Sequence, residues 1–439
     1  MTNKFKIGIV GFGTVGKGIF EILNSKKDIH PILKEIDIVK IAVKDLHKKR
    51  DIDINKELLT DKPDLLINDP SVDVIVEVMG GVDIAKDIIM KSLNAGKSVV
   101  TANKAVMARF GDEIYKTASK NNVYILFEAA VCGGIPIIEP LKKSLKSNQI
   151  TKMIGIINGT TNFILSKMST ENDSYEGSLR LAQELGYAEL NPAADVEGHD
   201  AADKISILTE LAYGGKIKRD QIETEGINFI NLKDIEYASK LGFEIKLIAV
   251  SERVRNNKNS DSLPLNTWVG PTLIPKSHPL ASVEDVNNAI LIEGEPIGKI
   301  MLYGPGAGSG PTASSVVSDI LSLKSISFTN KSKGISTFDP LLAFDYWRKC
   351  HLIKSEQIKK KFYFRIICKD TAGVIGKIGH IFGKNNVSIE SILQFDAAHN
   401  EAEIIVITHE VMMGDINKSK AELNSLTEVK LLASQLNCI

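Results

Sequence analysis

The feature that most restricts this chain is Gly11-x-Gly13-x-x-Gly16, set directly behind the apolar run FKIGIV (residues 5–10) and directly ahead of a helical pattern. A buried parallel strand that turns through glycines into a helix is the context that makes such a motif specific. Gly11 permits the tight turn, Gly13 lets backbone approach a pyrophosphate, and Gly16 lets helix and strand pack closely. The helix start then offers free N–H groups and the positive end of its dipole to an anion. Residues Gly11, Phe12, Gly13, Thr14, Val15 and Gly16 are therefore the candidate dinucleotide turn.

Strand-like segments recur at 36–43, 72–79, 98–101 and 123–128, with a helix over 82–93 stopped by Gly96. Strands alternating with helices predict an α/β, Rossmann-type doubly wound parallel sheet. The first domain should cover residues 1–131 and be completed by a helix at about 305–325, behind Gly304-Pro305-Gly306-Ala307-Gly308. Residues 132–304 read as a mixed α+β domain, with strands at 150–157 and 246–253 and helices at 177–185 and 200–213. A Lys-rich polar linker is expected over 325–360. Residues 361–439 follow the order βαββαβ, which predicts a ferredoxin-like domain. A chain of 439 residues has room for about three such domains.

Composition narrows the partners. Lys plus Arg and Asp plus Glu each number 54, for a net charge of +0, which argues against a nucleic-acid protein with a global basic field. No apolar run approaches the ~18 residues of a membrane helix, and no signal-peptide pattern is read at the start. Cys132, Cys350, Cys368 and Cys438 are scattered without a CxxC pair, so neither a disulfide framework nor structural zinc is expected. A reduced, cytoplasmic protein is the expectation.

Three further segments bear chemistry. After the second strand stand Lys44 and Asp45, then His47, Lys48, Lys49 and Arg50. An acid at that strand end would hold ribose hydroxyls, whereas cations suit a 2′-phosphate, which favours NADP over NAD; a solvated basic loop is the plainer reading. Thr101-Ala102-Asn103-Lys104 follows the strand at 98–101, where ligands bind in such sheets, so Thr101 and Lys104 are placed at the cofactor crevice. Asp200 and Lys204 are spaced i, i+4 at a helix start and lie on one face. Glu189, Asp195 and Asp200 precede Lys204 in one compact run, a set that could hold an ammonium group and tune a lysine for proton transfer. Asn158, Gly159 and Thr160, behind the strand at 150–157, could hydrogen-bond a small polar substrate.

Taken together, GFGTVG at 11–16, TANK at 101–104, FEAAVCGGIP at 127–136, GIINGTTNFIL at 155–165, GYAELNPAADVEGHDAADK at 186–204 and YGPGAG at 303–308 resemble homoserine dehydrogenase, in the family's order. The resemblance implies reversible NAD(P)-dependent interconversion of L-homoserine and L-aspartate 4-semialdehyde, in threonine, methionine and isoleucine biosynthesis. It implies that Lys104 and Lys204 act in proton transfer at the substrate oxygen, with Asp200 as the partner acid. Gly159, Thr160, Tyr187, Glu189 and Asp195 would line the substrate, Glu189 at its ammonium group. Gly306 would lie near the cofactor. Glu128, Val131, Gly133 and Ile135 would bind a monovalent cation, Na⁺, through backbone carbonyls plus one carboxylate. Asn191, Ala194, Cys132 and Lys44 depart from the commoner family residues, but none removes a proposed catalytic group.

The C-terminal run Asp370-Thr371-Ala372-Gly373-Val374-Ile375-Gly376 resembles an ACT domain. That implies a threonine effector and feedback inhibition, with simple dimerisation as the alternative. The family implies a homodimer through the central domain, and the added domain a possible tetramer. Two rival functions fit parts of the pattern. Aspartate-semialdehyde dehydrogenase chemistry needs a nucleophilic cysteine, for which Cys132 is the nearby candidate. A non-enzymatic redox or amino-acid sensor would not need Lys104, Asp200 and Lys204.

Overall fold

The computed structural model describes residues 4–25, 30–254, 261–333, 338–397 and 400–439. Its contacts divide into two units. One is Met1–Ile150 with Asp203–Arg219 and Glu293–Lys349; the other is Thr151–Ala202 with Asp220–Ile292 and Cys350–Ile439.

In the first unit, β1 (Phe5–Val10) is buried everywhere except at Lys6, as a strand covered on both faces must be. It is joined by β2 (Ile36–Ala42), β3 (Leu59–Thr60), β4 (Val74–Glu77), β5 (Ser98–Thr101) and β6 (Ile125–Leu126). All pair in parallel, in the order β3-β2-β1-β4-β5-β6. Chain order reverses between β1 and β4, and ligands of such sheets bind at the carboxyl ends of those strands. The helix Ser309–Lys333 returns to this sheet: Ala313, Val316, Val317 and Ile320 share one core with Ile7, Ile9 and Ile19. Gly18 permits that approach, since a β-carbon there would meet the Ser309 carbonyl at 2.7 Å.

In the second unit the strands lie side by side in the order Asn287–Glu295, Gln149–Ile156, Phe243–Arg253, Ser262–Pro275, Val429–Cys438, Lys359–Lys369, Glu401–Thr408 and Ile389–Ala397. The last four, with helices Val374–Lys384 and Met413–Ser425, make the βαββαβ motif around Phe362, Phe364, Ile378 and Phe382. Val429–Cys438 pairs antiparallel with Lys359–Lys369 and also parallel with Ser262–Pro275, through Thr272↔Asn437 and Leu273↔Cys438. The C-terminal sheet thus continues the central one.

Several elements differ from expectation. Residues 159–171 form a helix where the sequence suggested a turn, because Asn158 caps it. The strand Ser262–Pro275 carries three prolines and a glycine and does not alternate; it is nevertheless buried over most of its length. Of the expected linker, residues 325–333 are the end of a helix, Lys349–Leu352 is a strand, and 334–337 lie outside the described residues.

Candidate functional site

The glycine turn carries out its three tasks with separate residues. Gly11 sits at φ +106°, and a β-carbon there would lie 2.6 Å from the Val78 carbonyl. Gly16 would place one 2.4 Å from the Gly11 carbonyl. A β-carbon on Gly13, by contrast, meets nothing within 4 Å. Gly13 is also the N-cap of α1 (Thr14–Leu23), whose first turn holds no acid. The open side is thus the side on which backbone N–H groups are exposed to an anion, and the residues present fit a dinucleotide pyrophosphate. Phe12 packs edge-on against Phe20, Val15 packs on the core, and the Thr14 carbonyl accepts from the Ser309 hydroxyl at 2.8 Å.

Beyond β2, Lys44 is exposed. The Asp45 carboxylate accepts from the backbone of His47 at 2.8 Å and Lys48 at 3.2 Å, so it folds its own loop. Arg50 donates to the Asp45 and Lys48 carbonyls at 2.7 and 2.9 Å. The acid nearest the ribose position is engaged locally, and the cations around it remain.

At the end of β5 the Thr101 hydroxyl donates to Glu77 Oε2 at 2.6 Å and accepts from the Asn103 amide at 3.0 Å. Glu77 Oε1 accepts from the Met79 amide at 2.9 Å. Asn103 caps the helix Lys104–Lys120, accepting from Val106 N–H at 3.2 Å and donating to the Gly81 carbonyl at 2.7 Å. Lys104 opens that helix, half-buried. Burial raises the Glu77 carboxyl against the pull of its hydrogen bonds. Sequence reasoning missed Glu77, although a lone acid inside VDVIVEVM was its signal.

In the second unit one amide gathers two candidate acids. Asn158 Nδ2 donates to Asp195 Oδ1 at 2.6 Å and to Asp200 Oδ2 at 2.9 Å. Its Oδ1 accepts from the backbone and hydroxyl of Thr161, both at 2.8 Å, which caps the helix Gly159–Glu171. The Thr160 hydroxyl donates to the Tyr187 carbonyl at 2.7 Å, and Tyr187 packs edge-on against Phe163. The Glu189 carbonyl accepts from Gln183 at 3.1 Å, and its side chain is exposed. Gly159 is required sterically: a β-carbon would lie 2.7 Å from the Val286 carbonyl. Asp200 and Lys204 are one turn apart on the helix His199–Tyr213, and both are buried. Asn158 stood in a segment read only as a source of polar contacts; its double role was not legible.

The loop expected to bind a cation is fully buried at Val131 and nearly so at Ile135. Glu128 Oε1 accepts from the amides of Ile137 at 2.6 Å and Ile138 at 2.8 Å, and Oε2 from Glu139 at 2.6 Å. The carboxylate thus accepts three amides at the start of the short helix Ile138–Lys142. Among the loop's backbone carbonyls, that of Gly133 accepts from the Ser315 hydroxyl at 2.7 Å. A β-carbon on Gly133 would lie 2.5 Å from the Gly306 carbonyl, so the loop and the GPGAG segment touch as backbones. Among the described residues, no group of three His, Cys, Asp or Glu side chains could hold a metal.

Comparison with known proteins covers the same segments. Family models for the homoserine dehydrogenase NAD-binding domain, for homoserine dehydrogenase and for the ACT domain match residues 11–128, 136–321 and 362–428. A homoserine dehydrogenase of Synechocystis sp. is 45% identical over 434 residues, 99% of each chain. The crystal structure of a homoserine dehydrogenase from Thiobacillus denitrificans superimposes with TM-score 0.87 at 33% identity, over 99% of this chain and 98% of that one. A hyperthermophilic archaeal homoserine dehydrogenase in complex with NADPH superimposes with TM-score 0.60 at 29% identity, over 73% of this chain and 98% of that one.

Proposed function

The chain belongs to the homoserine dehydrogenase family of oxidoreductases, and we propose that its own Lys104, Lys204 and Asp200 manage the proton while Asp195 and Glu189 hold the substrate ammonium group. A bound nicotinamide supplies or takes the hydride at the substrate carbon. Reduction leaves charge on the aldehyde oxygen; a lysine ammonium stabilises it and donates a proton, and oxidation needs the neutral amine. Glu77, Thr101 and Asn103 are positioning residues that set the start of the Lys104 helix.

The observation that carries this reading is the Asn158 bridge. It holds two carboxylates against one amide nitrogen at the root of the helix bearing Lys204. Carboxylates so arranged suit an amino-acid substrate. Cys132 is fully buried, which does not favour a nucleophilic thiol. Lys104→Met and Lys204→Met should each lower kcat by about 100-fold or more while leaving the circular dichroism spectrum unchanged. Near-normal turnover in either folded variant would remove that lysine from the chemistry.

NADP is the proposed cofactor, supported by the exposed Lys44 and the locally engaged Asp45. Lys44→Glu should raise KM for NADP about tenfold and leave KM for NAD nearly unchanged. The Glu128 carboxylate and the backbone carbonyls of Val131, Gly133 and Ile135 are the proposed Na⁺ ligands, by the preference of hard cations for oxygen. The ACT domain supports inhibition by threonine, and a homodimer or homotetramer is the proposed assembly. The proposed compartment is the cytoplasm; no helix among the described residues is long and apolar enough to cross a membrane.

A further inference from the structure

A cavity of about 490 Å³ opens where the C-terminal strand Val429–Cys438 and helix Met413–Ser425 meet the central strands Glu223–Thr224 and Ser262–Pro275. That volume lies within the range of small-molecule sites. Its polar lining includes Lys360, Lys420, Glu223, Glu225 and Ser434, and Trp268 forms an aromatic wall. None of these residues belongs to the nucleotide or substrate clusters above.

Lys360 is the informative member. Its side chain is only 9% exposed, and its Nζ lies 4.0 Å from the centre of the Trp268 ring. Its closest ionic partner among the described residues, Glu223, is 4.0 Å away, too far for a hydrogen bond. A buried ammonium ordinarily has a charged or polar acceptor in contact. The indole face compensates in part, as a cation–π contact does. Burial accordingly lowers the Lys360 amine to about 8 and raises the Glu225 carboxyl. Both groups would regain their ordinary ionisation against an opposite charge. The four charged side chains in the wall, two of each sign, match a ligand that is neutral overall and carries both charges. Phe229 and Met413 add apolar surface for a short side chain.

We propose that this cavity binds a free α-amino acid as its zwitterion, with the carboxylate on Lys360 beside Trp268 and the ammonium group on Glu225. The site deepens the reading of amino-acid control and rests on it only for the effect on turnover. Occupancy has a route into the central fold. Ser434, in the cavity wall, donates to Asp234 Oδ1 at 2.6 Å, and Arg365 Nε donates to the same oxygen at 2.8 Å. Asp234 in turn closes the capping box of the central helix Leu232–Lys240.

The chain has two tryptophans, so Trp347→Phe leaves Trp268 as the sole indole reporter. In that full-length background, L-threonine and then each other protein amino acid is titrated at millimolar concentrations, while tryptophan emission and homoserine oxidation are followed. At least one should shift the emission saturably. Lys360→Met should weaken that response by about tenfold or more, Lys360→Arg should largely retain it, and turnover without effector should be unchanged in both. An emission response without inhibition supports the cavity and overturns the feedback reading. Inhibition together with an emission response that Lys360→Met and Glu225→Gln leave intact overturns the cavity and leaves feedback standing. No emission response to any amino acid overturns the cavity outright.

Discussion

Lys142 in the first unit and Lys360 in the second are both lowered by burial to about 8, yet their surroundings are opposite. Lys142 Nζ donates to the Leu342 carbonyl at 2.5 Å and lies among the carboxyls of Asp319 and Glu128. The void beside it measures about 10 Å³, barely room for one water. Lys360 borders a space many times larger and touches a ring face where Lys142 touches a carbonyl. A depressed lysine pKa therefore does not identify a site by itself. One of these amines is enclosed by the protein's own acceptors; the other is desolvated on one side and open on the other.

The contrast can be broken most severely through the neighbouring acids. Glu128→Ala strips three amides of their acceptor and removes a charge facing Lys142, so it should cost about 3–5 kcal/mol in urea unfolding. The corresponding change beside Lys360, Glu223→Ala, removes a half-exposed carboxylate at 4.0 Å and should cost under about 1 kcal/mol. Equal losses would show that the two environments are energetically alike.

A smaller effect follows from protonation. Each lysine is held near 8 in the fold and returns to its ordinary value, 10.5, on unfolding. Between those values the unfolded chain binds more protons, so stability rises as pH rises through that window. For Lys142 the gain is up to about 3 kcal/mol. Lys142→Met should flatten the rise whether or not an amino acid is present. Lys360→Met should flatten it only in the free protein, because a bound carboxylate already restores the charged amine. Unfolding midpoints from pH 7 to 11, with and without amino acid, read this out.

A carboxyl in the first unit gives an effect of the opposite sign. Burial raises Glu210 to about 7, against hydrogen bonds from the Tyr346 hydroxyl at 2.7 Å and the Ile217 amide at 3.2 Å. Here the folded state holds the extra proton. The stabilisation is full below about 4.5 and is lost as pH rises through 7. Glu210→Gln should remove that decline without disturbing the rise above pH 8. An unchanged slope between pH 5 and 7 would exclude Glu210 as its source.

Much of this was legible because it is local. The turn at residues 11–16, the parallel strands and the βαββαβ order follow from glycine spacing and apolar period, and the structure reproduces them within a few residues. The buried strand Ser262–Pro275 was not, since its prolines and glycine imitate a loop. Among site residues, Lys104, Asp200 and Lys204 could be named from their places at a strand end and a helix start. Glu77 and Asn158 act through partners 24 and 42 positions away. The three amides that the Glu128 carboxylate accepts come from a helix start nine to eleven residues on, an arrangement without a sequence signature.

The chain's order of residues thus determined the dinucleotide turn, the alternating layers and the candidate lysines, since each depends on neighbours within a few turns of backbone. Tertiary structure alone decided which buried charges are enclosed and which face open space. Lys142 finds its acceptor 200 residues away at Leu342, and Ser434 reaches Asp234 across the same interval. Desolvation is a property of everything packed around a group, and packing between remote segments leaves no period in a sequence.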